Sequence, residues 1–260
     1  MSSVKRVVVT GAGGGIGAAL ARRFAADGAR VVVNDLNAEA ARTVASEIGG
    51  IAVPGDAASE QDVRALVDTA FTELGGIDLF CSNAGVLSSG DENTPDAQWQ
   101  RDFGVNVMSH VYVTRALLPR WLDSGSPQRL LITVSAAGLL TLLGSATYSV
   151  TKHAALAYAE WLRATYAHRG LIVQALCPQG VRTDMLTRGN DSGSGSAALL
   201  AEGALAPEAV ADLAAASLDG GEFLILPHPE VAGYYRLRAS DPDRWLGGMN
   251  KMQRGFEDVR

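Results

Sequence analysis

The chain has 260 residues, 47% of them hydrophobic and 19% charged, proportions that suit a globular chain able to bury a sizeable core. A formal net charge of −6 and a sequence pI of about 5.2 exclude a binder that works by attracting nucleic-acid phosphate. Cys81 and Cys177 each end an apolar run and make neither a disulfide framework nor a zinc site. His110, His153, His168 and His228 lack metal-ligand spacing, so no metal is expected, and the sparse thiols point to a reducing, cytoplasmic setting.

In chain order, strands are expected at Arg6–Thr10, Arg30–Asn34, Ile51–Val53, Ile77–Cys81, Arg129–Val134, Leu171–Cys177 and Phe223–Leu226. Continuous runs such as Val7-Val8-Val9 and Val31-Val32-Val33 suit strands buried on both faces, as in a parallel sheet. Helical patterns lie between them: Asn37 can cap Ala38–Ile48, Ser59 can cap Glu60–Leu74, and Pro95 after Thr94 suits a first helical position. Met1–Val9 carries Lys5 and Arg6 and runs at once into Thr10-Gly11, so no secretory signal is expected. Leu130–Thr151 is uncharged and long enough to span a bilayer, but its Ser, Thr and Gly residues favour a buried strand, a loop and a helix start. Alternation of strand and helix predicts one α/β domain over 1–260, a doubly wound sheet that binds ligands at the carboxyl ends of its strands. Arg188–Ser196 has the composition of a mobile loop, read either as a surface connection or as part of a substrate lid over 188–204.

Thr10-Gly11-Ala12-Gly13-Gly14-Gly15-Ile16-Gly17 joins the first strand to the first helix. Glycines there let the backbone approach a pyrophosphate that the helix N-terminus stabilises, although any tight strand–helix turn also needs glycine. No Gly-Lys-Ser/Thr follows, which excludes a P-loop. Asp35 closes the second strand eighteen residues beyond Gly17, where a carboxylate can bind an adenosine ribose and repel a 2′-phosphate.

Tyr148 and Lys152 are four residues apart and so share a helix face. The chain has three lysines (Lys5, Lys152, Lys251) against nineteen arginines, and only one of its six tyrosines is followed by a lysine four residues on. A compact ammonium beside a phenol is expected to stabilise phenolate and bring it towards a general-base range. Ser135 ends the fifth strand thirteen residues before Tyr148 and can donate to a carbonyl or alkoxide oxygen. Asn106 lies inside a helical run where Asn is a poor residue; its amide either holds a water that joins Lys152 to solvent or is satisfied internally.

With these residues in this order, the chain resembles the short-chain dehydrogenase/reductase family in its shorter single-domain subgroup, over about residues 5–226. The resemblance rests on Thr10–Gly17, Asp56, Asn83-Ala84-Gly85, Asn106, Ser135, Tyr148 to Lys152, and Pro178 to Thr183. It implies a Rossmann-like sheet of seven parallel strands with helices on both faces. It also implies an Asn106-Ser135-Tyr148-Lys152 tetrad, with Tyr148 as general acid/base, Ser135 orienting the substrate oxygen and Lys152 on the nicotinamide ribose. The cofactor site implied is Gly11, Gly15, Ile16, Gly17, Asp35, Leu36, Asp56, Ala57, Asn83, Ala84, Gly85, Tyr148, Lys152, Pro178, Val181 and Thr183. Asp35, with no basic residue in Thr10–Gly17, implies NAD. Gln179 stands where the family commonly has Gly, so Gln179, Met185 and Leu186 join Ser135 as candidate substrate contacts.

The expectation is therefore an NAD-dependent alcohol dehydrogenase for a secondary alcohol or ketone, apolar because Leu139, Leu140, Leu142, Leu143, Met185 and Leu186 flank the site. An NADPH-dependent 3-oxoacyl-thioester or ketone reductase is the alternative enzyme, and an NAD-sensing protein without catalysis the alternative from another class. The family pattern implies a homo-oligomer, a tetramer or dimer, with Val111, Leu117, Leu118, Trp121, Leu156 and Trp161 offering apolar surface. The extension 227–260 either covers its own sheet edge or reaches a neighbouring subunit or pocket.

Overall fold

In the computed structural model, which describes residues 4–122, 125–190, 200–201 and 203–257, the valine runs form the centre of one parallel sheet. Its strands are β1 (Arg6–Thr10), β2 (Arg30–Asn34), β3 (Ile51–Ala52), β4 (Leu79–Ser82), β5 (Gln128–Thr133), β6 (Leu171–Leu176) and β7 (Leu224–Ile225), in the order β3-β2-β1-β4-β5-β6-β7. The helices are α1 (Gly15–Ala26), α2 (Ala38–Ile48), α3 (Glu60–Leu74), α4 (Asp96–Phe103), α5 (Ser109–Trp121), α6 (Ala146–Tyr166), α7 (Asp184–Asn190), α8 (Pro207–Ser217), α9 (Glu230–Ser240) and α10 (Pro242–Glu257). All seven expected strands are present. β3 and β7, at the sheet edges, are shorter than their apolar runs. β4 starts at Leu79, not Ile77, because Asp78 turns its carboxylate onto the Lys5 and Arg6 amides.

Successive strand residues face opposite layers. Val8, Val32, Phe80, Leu130 and Ile132 pack in one core with Leu66 of α3, Leu117 of α5 and Leu162 of α6. Val7, Val9, Val31, Val33, Leu79 and Leu131 pack in the other with Leu20 of α1, Val44 of α2 and Val210 of α8. Asn37 accepts from the Glu39 and Ala40 amides, both at 3.1 Å, and Ser59 from the Asp62 amide at 3.2 Å, as their cap positions require. Pro95 is the residue before α4 and not its first helical residue. Leu130–Thr151 runs from β5 through a 3₁₀ turn into α6, and no helix among the described residues is long and apolar enough to cross a membrane.

Of the residues named for subunit contacts or as flanking the site, several are part of the core. Leu117, Trp121 and Leu156 are buried against the chain's own sheet, as are Leu139 and Leu140. Trp161, by contrast, is 53% exposed. The C-terminal extension covers its own chain: Val231 of α9 is fully buried, Tyr235 and Trp245 pack on the same core, and Arg238 donates to the Leu139 carbonyl at 2.6 Å. Most of the candidate lid, residues 191–199 and 202, lies outside the described residues.

The strand order reverses between β1 and β4, which opens a crevice at their carboxyl ends. Thr10 and Asn83 clip its rim. Thr10 Oγ1 accepts from the Asn83 and Ala84 amides at 3.0 and 3.1 Å. Asn83 Nδ2 donates to the Thr10 and Gly11 carbonyls, and its Oδ1 accepts from Thr133 Oγ1 at 3.0 Å. Thr10→Val keeps the β-branched shape but strands two amides. Stability should fall by about 1–3 kcal/mol for each group left unsatisfied, read as a lower denaturant midpoint at unchanged slope.

Candidate active site

The glycine-rich turn leaves β1 with Gly11 and Gly15 in the left-handed region, at φ of 62° and 53°. A Cβ on Gly17 would lie 2.1 Å from the Gly11 carbonyl oxygen, so helix and turn approach as only glycine allows. α1 starts without a side-chain cap and without an acidic residue in its first turn. Its leading amides therefore face the crevice as anion donors, which suits a pyrophosphate. Thr183 stands over the turn, its methyl 3.0 Å from where a Gly15 Cβ would be.

Asp35 lies beside this turn at the end of β2. Its carboxylate accepts from the Gly13 and Asn37 amides, both at 2.9 Å. Leu36 next to it is 74% exposed, an apolar surface at the same end of the crevice. Asp56 braces the loop ahead of α3 by accepting from the Ala58 amide at 2.8 Å, and Ala57 is nearly buried behind it. Asn83, Ala84 and Gly85 form the opposite rim, with Ala84 Cα 2.8 Å from where a Gly11 Cβ would be. The Val181 side chain points into its own core, so only its backbone can serve the crevice.

Ser135, Tyr148 and Lys152 meet beyond Gly85, between the end of β5 and the first turns of α6. Ser135 Oγ accepts from the Ala137 amide at 3.0 Å and donates to the Pro178 carbonyl at 3.4 Å. It also lies near enough to the Tyr148 phenol to favour its charged form. Lys152 is buried, donates to the Thr133 carbonyl at 3.1 Å and holds its ammonium 5.6 Å from the Tyr148 ring centroid. Burial pushes the Lys152 ammonium down to about 8.

One expectation changes here. Lys152 does not bring the Tyr148 phenol down in this arrangement: burial raises it, and the Ser135 hydroxyl offsets part of that rise. The Asn106 amide is satisfied internally, one of its two readings: Oδ1 accepts from the Val86 amide at 2.9 Å, and Nδ2 donates to the Val86 carbonyl and Thr151 Oγ1. Asn106 lies in a π-helical turn, Gly104–Met108, a wide turn that frees main-chain groups from their usual partners. Its amide clamps the β4 loop to α6.

The sequence did not single out His110 or His228. His110 Nδ1 lies 2.7 Å from Ser82 Oγ, and burial, with the charge of Lys152 adding, holds the imidazole down to about 3 and therefore neutral. His228 Nδ1 accepts from the Gln179 amide at 3.1 Å, so the extension buttresses the turn after β6. A buried histidine has no local pattern, and only the fold brings these two to the site. Gln179 is partly exposed at this corner, Met185 is 36% exposed on α7, and Leu186 is buried. No group of three or more metal-ligating side chains occurs among the described residues.

Comparison with known proteins gives a match over residues 5–192 to the family model described as short chain dehydrogenase. The chain is 36% identical over 252 residues to a 1-deoxy-11-beta-hydroxypentalenate dehydrogenase of Streptomyces exfoliatus, covering 93% of this chain and 88% of the relative. It is 34% identical over 187 residues to a 7alpha-hydroxysteroid dehydrogenase of Escherichia coli K12, covering 70% and 73%. A solved short chain dehydrogenase/reductase from Burkholderia phymatum in complex with NAD superposes with a TM-score of 0.84 at 27% identity, covering 92% of this chain and 94% of that one.

The Ser135 hydroxyl favours phenolate over phenol, so its removal should raise the Tyr148 pKa further. Ser135→Ala should shift one phenolate absorbance transition to higher pH in the nucleotide-free protein. That transition is identified by its loss in Tyr148→Phe.

Proposed function

Because the chain belongs to the short chain dehydrogenase family, we propose that it is an NAD-dependent oxidoreductase for a secondary alcohol or the matching ketone. The observation that carries this reading is the junction of Ser135 and Tyr148 beside buried Lys152, at the open end of the glycine-rich crevice. When bound, the nicotinamide supplies the two-electron step by taking hydride from the alcohol carbon or returning it to the ketone. The protein's part is to bind, orient and move one proton.

In oxidation Tyr148 takes the hydroxyl proton of the substrate, and in reduction it returns a proton to the carbonyl oxygen. Ser135 turns its hydroxyl from the Pro178 carbonyl to the substrate oxygen and holds it against the phenol. Lys152 holds ribose hydroxyls; the site's high desolvation cost makes any added anion or hydroxyl a better partner for its ammonium than the lone Thr133 carbonyl. Asn106 keeps the β4 loop on α6, so the nucleotide side and the proton-transfer side stay in register.

Asp35 supports NAD over NADP, since a carboxylate at the end of β2 repels a 2′-phosphate and Thr10–Gly17 has no basic residue to attract one. Leu142, Leu143 and Met185, none of them buried, support an apolar substrate. Phe103, Val150 and Trp161 are 40%, 51% and 53% exposed on α4 and α6, which supports a homo-oligomer, a tetramer in this proposal. Two buried free thiols support a cytoplasmic location.

Tyr148→Phe keeps the ring and removes the proton carrier. Alcohol oxidation followed as NADH absorbance should fall about 10²–10⁴-fold while NAD binding persists. Near-normal turnover in that variant would refute the mechanism. Asp35→Ala should weaken NAD binding by about 1.5–3 kcal/mol, the value of a charge-assisted hydrogen bond, and narrow the preference over NADP. Calorimetric titration with each nucleotide checks both, and equal affinity of the unmodified protein for the two would refute the assignment.

A further inference from the structure

The helix that carries Tyr148 and Lys152 begins without a cap of its own. Ser145 precedes α6, but its side chain makes no capping bond and donates instead to the Ser88 carbonyl. A second group holds the first turn. Asp102, in the last turn of α4, is fully buried. Its Oδ2 accepts from Thr147 Oγ1 at 2.7 Å, and Thr147 is the residue before Tyr148. Its Oδ1 accepts from Ser88 Oγ at 2.9 Å and lies 3.4 Å from Arg101 Nε. Arg101 also donates to Ser88 Oγ at 3.3 Å.

The segment around Ser88 is bound in turn to the approach to α6. The Gly90 amide donates to the Gly144 carbonyl at 3.0 Å, and the Ala146 amide to the Gly90 carbonyl at 3.1 Å. One buried carboxylate thus joins three pieces of chain: the loop after β4, the end of α4 and the start of α6. A charge in such a place persists only when its oxygens are well supplied with donors, and here two hydroxyls and a guanidinium supply them. Its negative charge also lies next to a helix N-terminus, where the peptide dipoles favour it.

We propose that Asp102 is a positioning residue for the reaction: by fixing Thr147 it fixes the Tyr148 hydroxyl against Ser135. This rests on the role of Tyr148 proposed above. Thr147 and Ser88 are hydroxyl residues whose rotors can reverse, so an amide at 102 can accept from one and donate to the other. A leucine can do neither. The glycine-rich turn and Asp35 make none of these bonds.

The test compares Asp102→Leu, Asp102→Asn and Thr147→Val with the unmodified protein and Tyr148→Phe. Two readouts are taken: steady-state kinetics with NAD binding, and amide hydrogen exchange over 146–152 in the absence of substrate. In Asp102→Leu and Thr147→Val, kcat should drop about 10–100-fold, as for a small misplacement of a reacting group, and NAD affinity should fall by less than kcat. Exchange should quicken over 146–152 but not over 15–26. Asp102→Asn should restore most of both. Thr147→Val removes a single hydroxyl and keeps the test open if Asp102→Leu does not fold. Unchanged exchange and unchanged kcat in Thr147→Val would overturn the proposal, as would an Asp102→Asn variant no better than Asp102→Leu. Full turnover by Tyr148→Phe would refute the proposed chemistry instead, and the exchange result would still decide whether Asp102 anchors the helix.

Discussion

The bonds between Thr10 and the Asn83-Ala84 amides, and from Asn83 to the Thr10, Gly11 and Thr133 groups, tie the ends of β1, β4 and β5 at the point where the strand order reverses. At such a point, helices leave the sheet to opposite sides and the chain ends of two central strands have no crossover above them. Their backbone groups need partners, and two side chains supply them. Three segments of the candidate site start from this clip. The glycine-rich turn continues β1, the Asn83–Gly85 rim continues β4, and Ser135 follows β5.

The two halves of the site solve different physical problems. The nucleotide half is built from main chain, with glycine where a Cβ would strike a carbonyl and a helix end whose amides lack side-chain caps. Its helix end presents amides and no basic side chain. The proton-transfer half is built from side chains, with Ser135 and Lys152 buried and Tyr148 partly exposed, and desolvation governs it. Burial lowers the Lys152 ammonium and raises the Tyr148 phenol, so both are held towards their neutral forms. Ser135 is the group that counters this at the phenol, since its hydroxyl stabilises the charge as it forms. A pair held close to neutrality by burial responds strongly to any charge brought beside it.

Around that half, polar side chains are spent on holding chain segments together. Asn106 joins the β4 loop to α6 through its amide, and Asp102 joins the same loop to the start of that helix. His228, from the C-terminal extension, accepts from the Gln179 amide and so steadies the turn whose Pro178 carbonyl receives Ser135. A reacting geometry made by several separate segments needs such cross-links, because each segment by itself could shift by more than proton transfer tolerates.

Much of this was legible in the sequence by itself. Valine runs marked strands buried on both faces, and Asn37 and Ser59 marked helix starts because a cap is satisfied within three residues of its own backbone. The glycine spacing of the first turn and the four-residue interval from Tyr148 to Lys152 were equally local, being consequences of helix and turn geometry. What depended on distant partners was not legible. Leu139, Leu140, Leu117 and Leu156 look like any exposed or pocket leucine until the sheet covers them. The direction of the Tyr148 shift follows from how deeply the phenol is enclosed, which no residue spacing encodes. Asp102, His110 and His228 gain their roles from residues 14 to 49 positions away, through Ser88, Thr147, Ser82 and Gln179. Sequence determined the elements and the reacting groups, because those obey local periodicity and chemistry. Tertiary structure decided burial, charge state and support, because these are set by what the fold brings alongside.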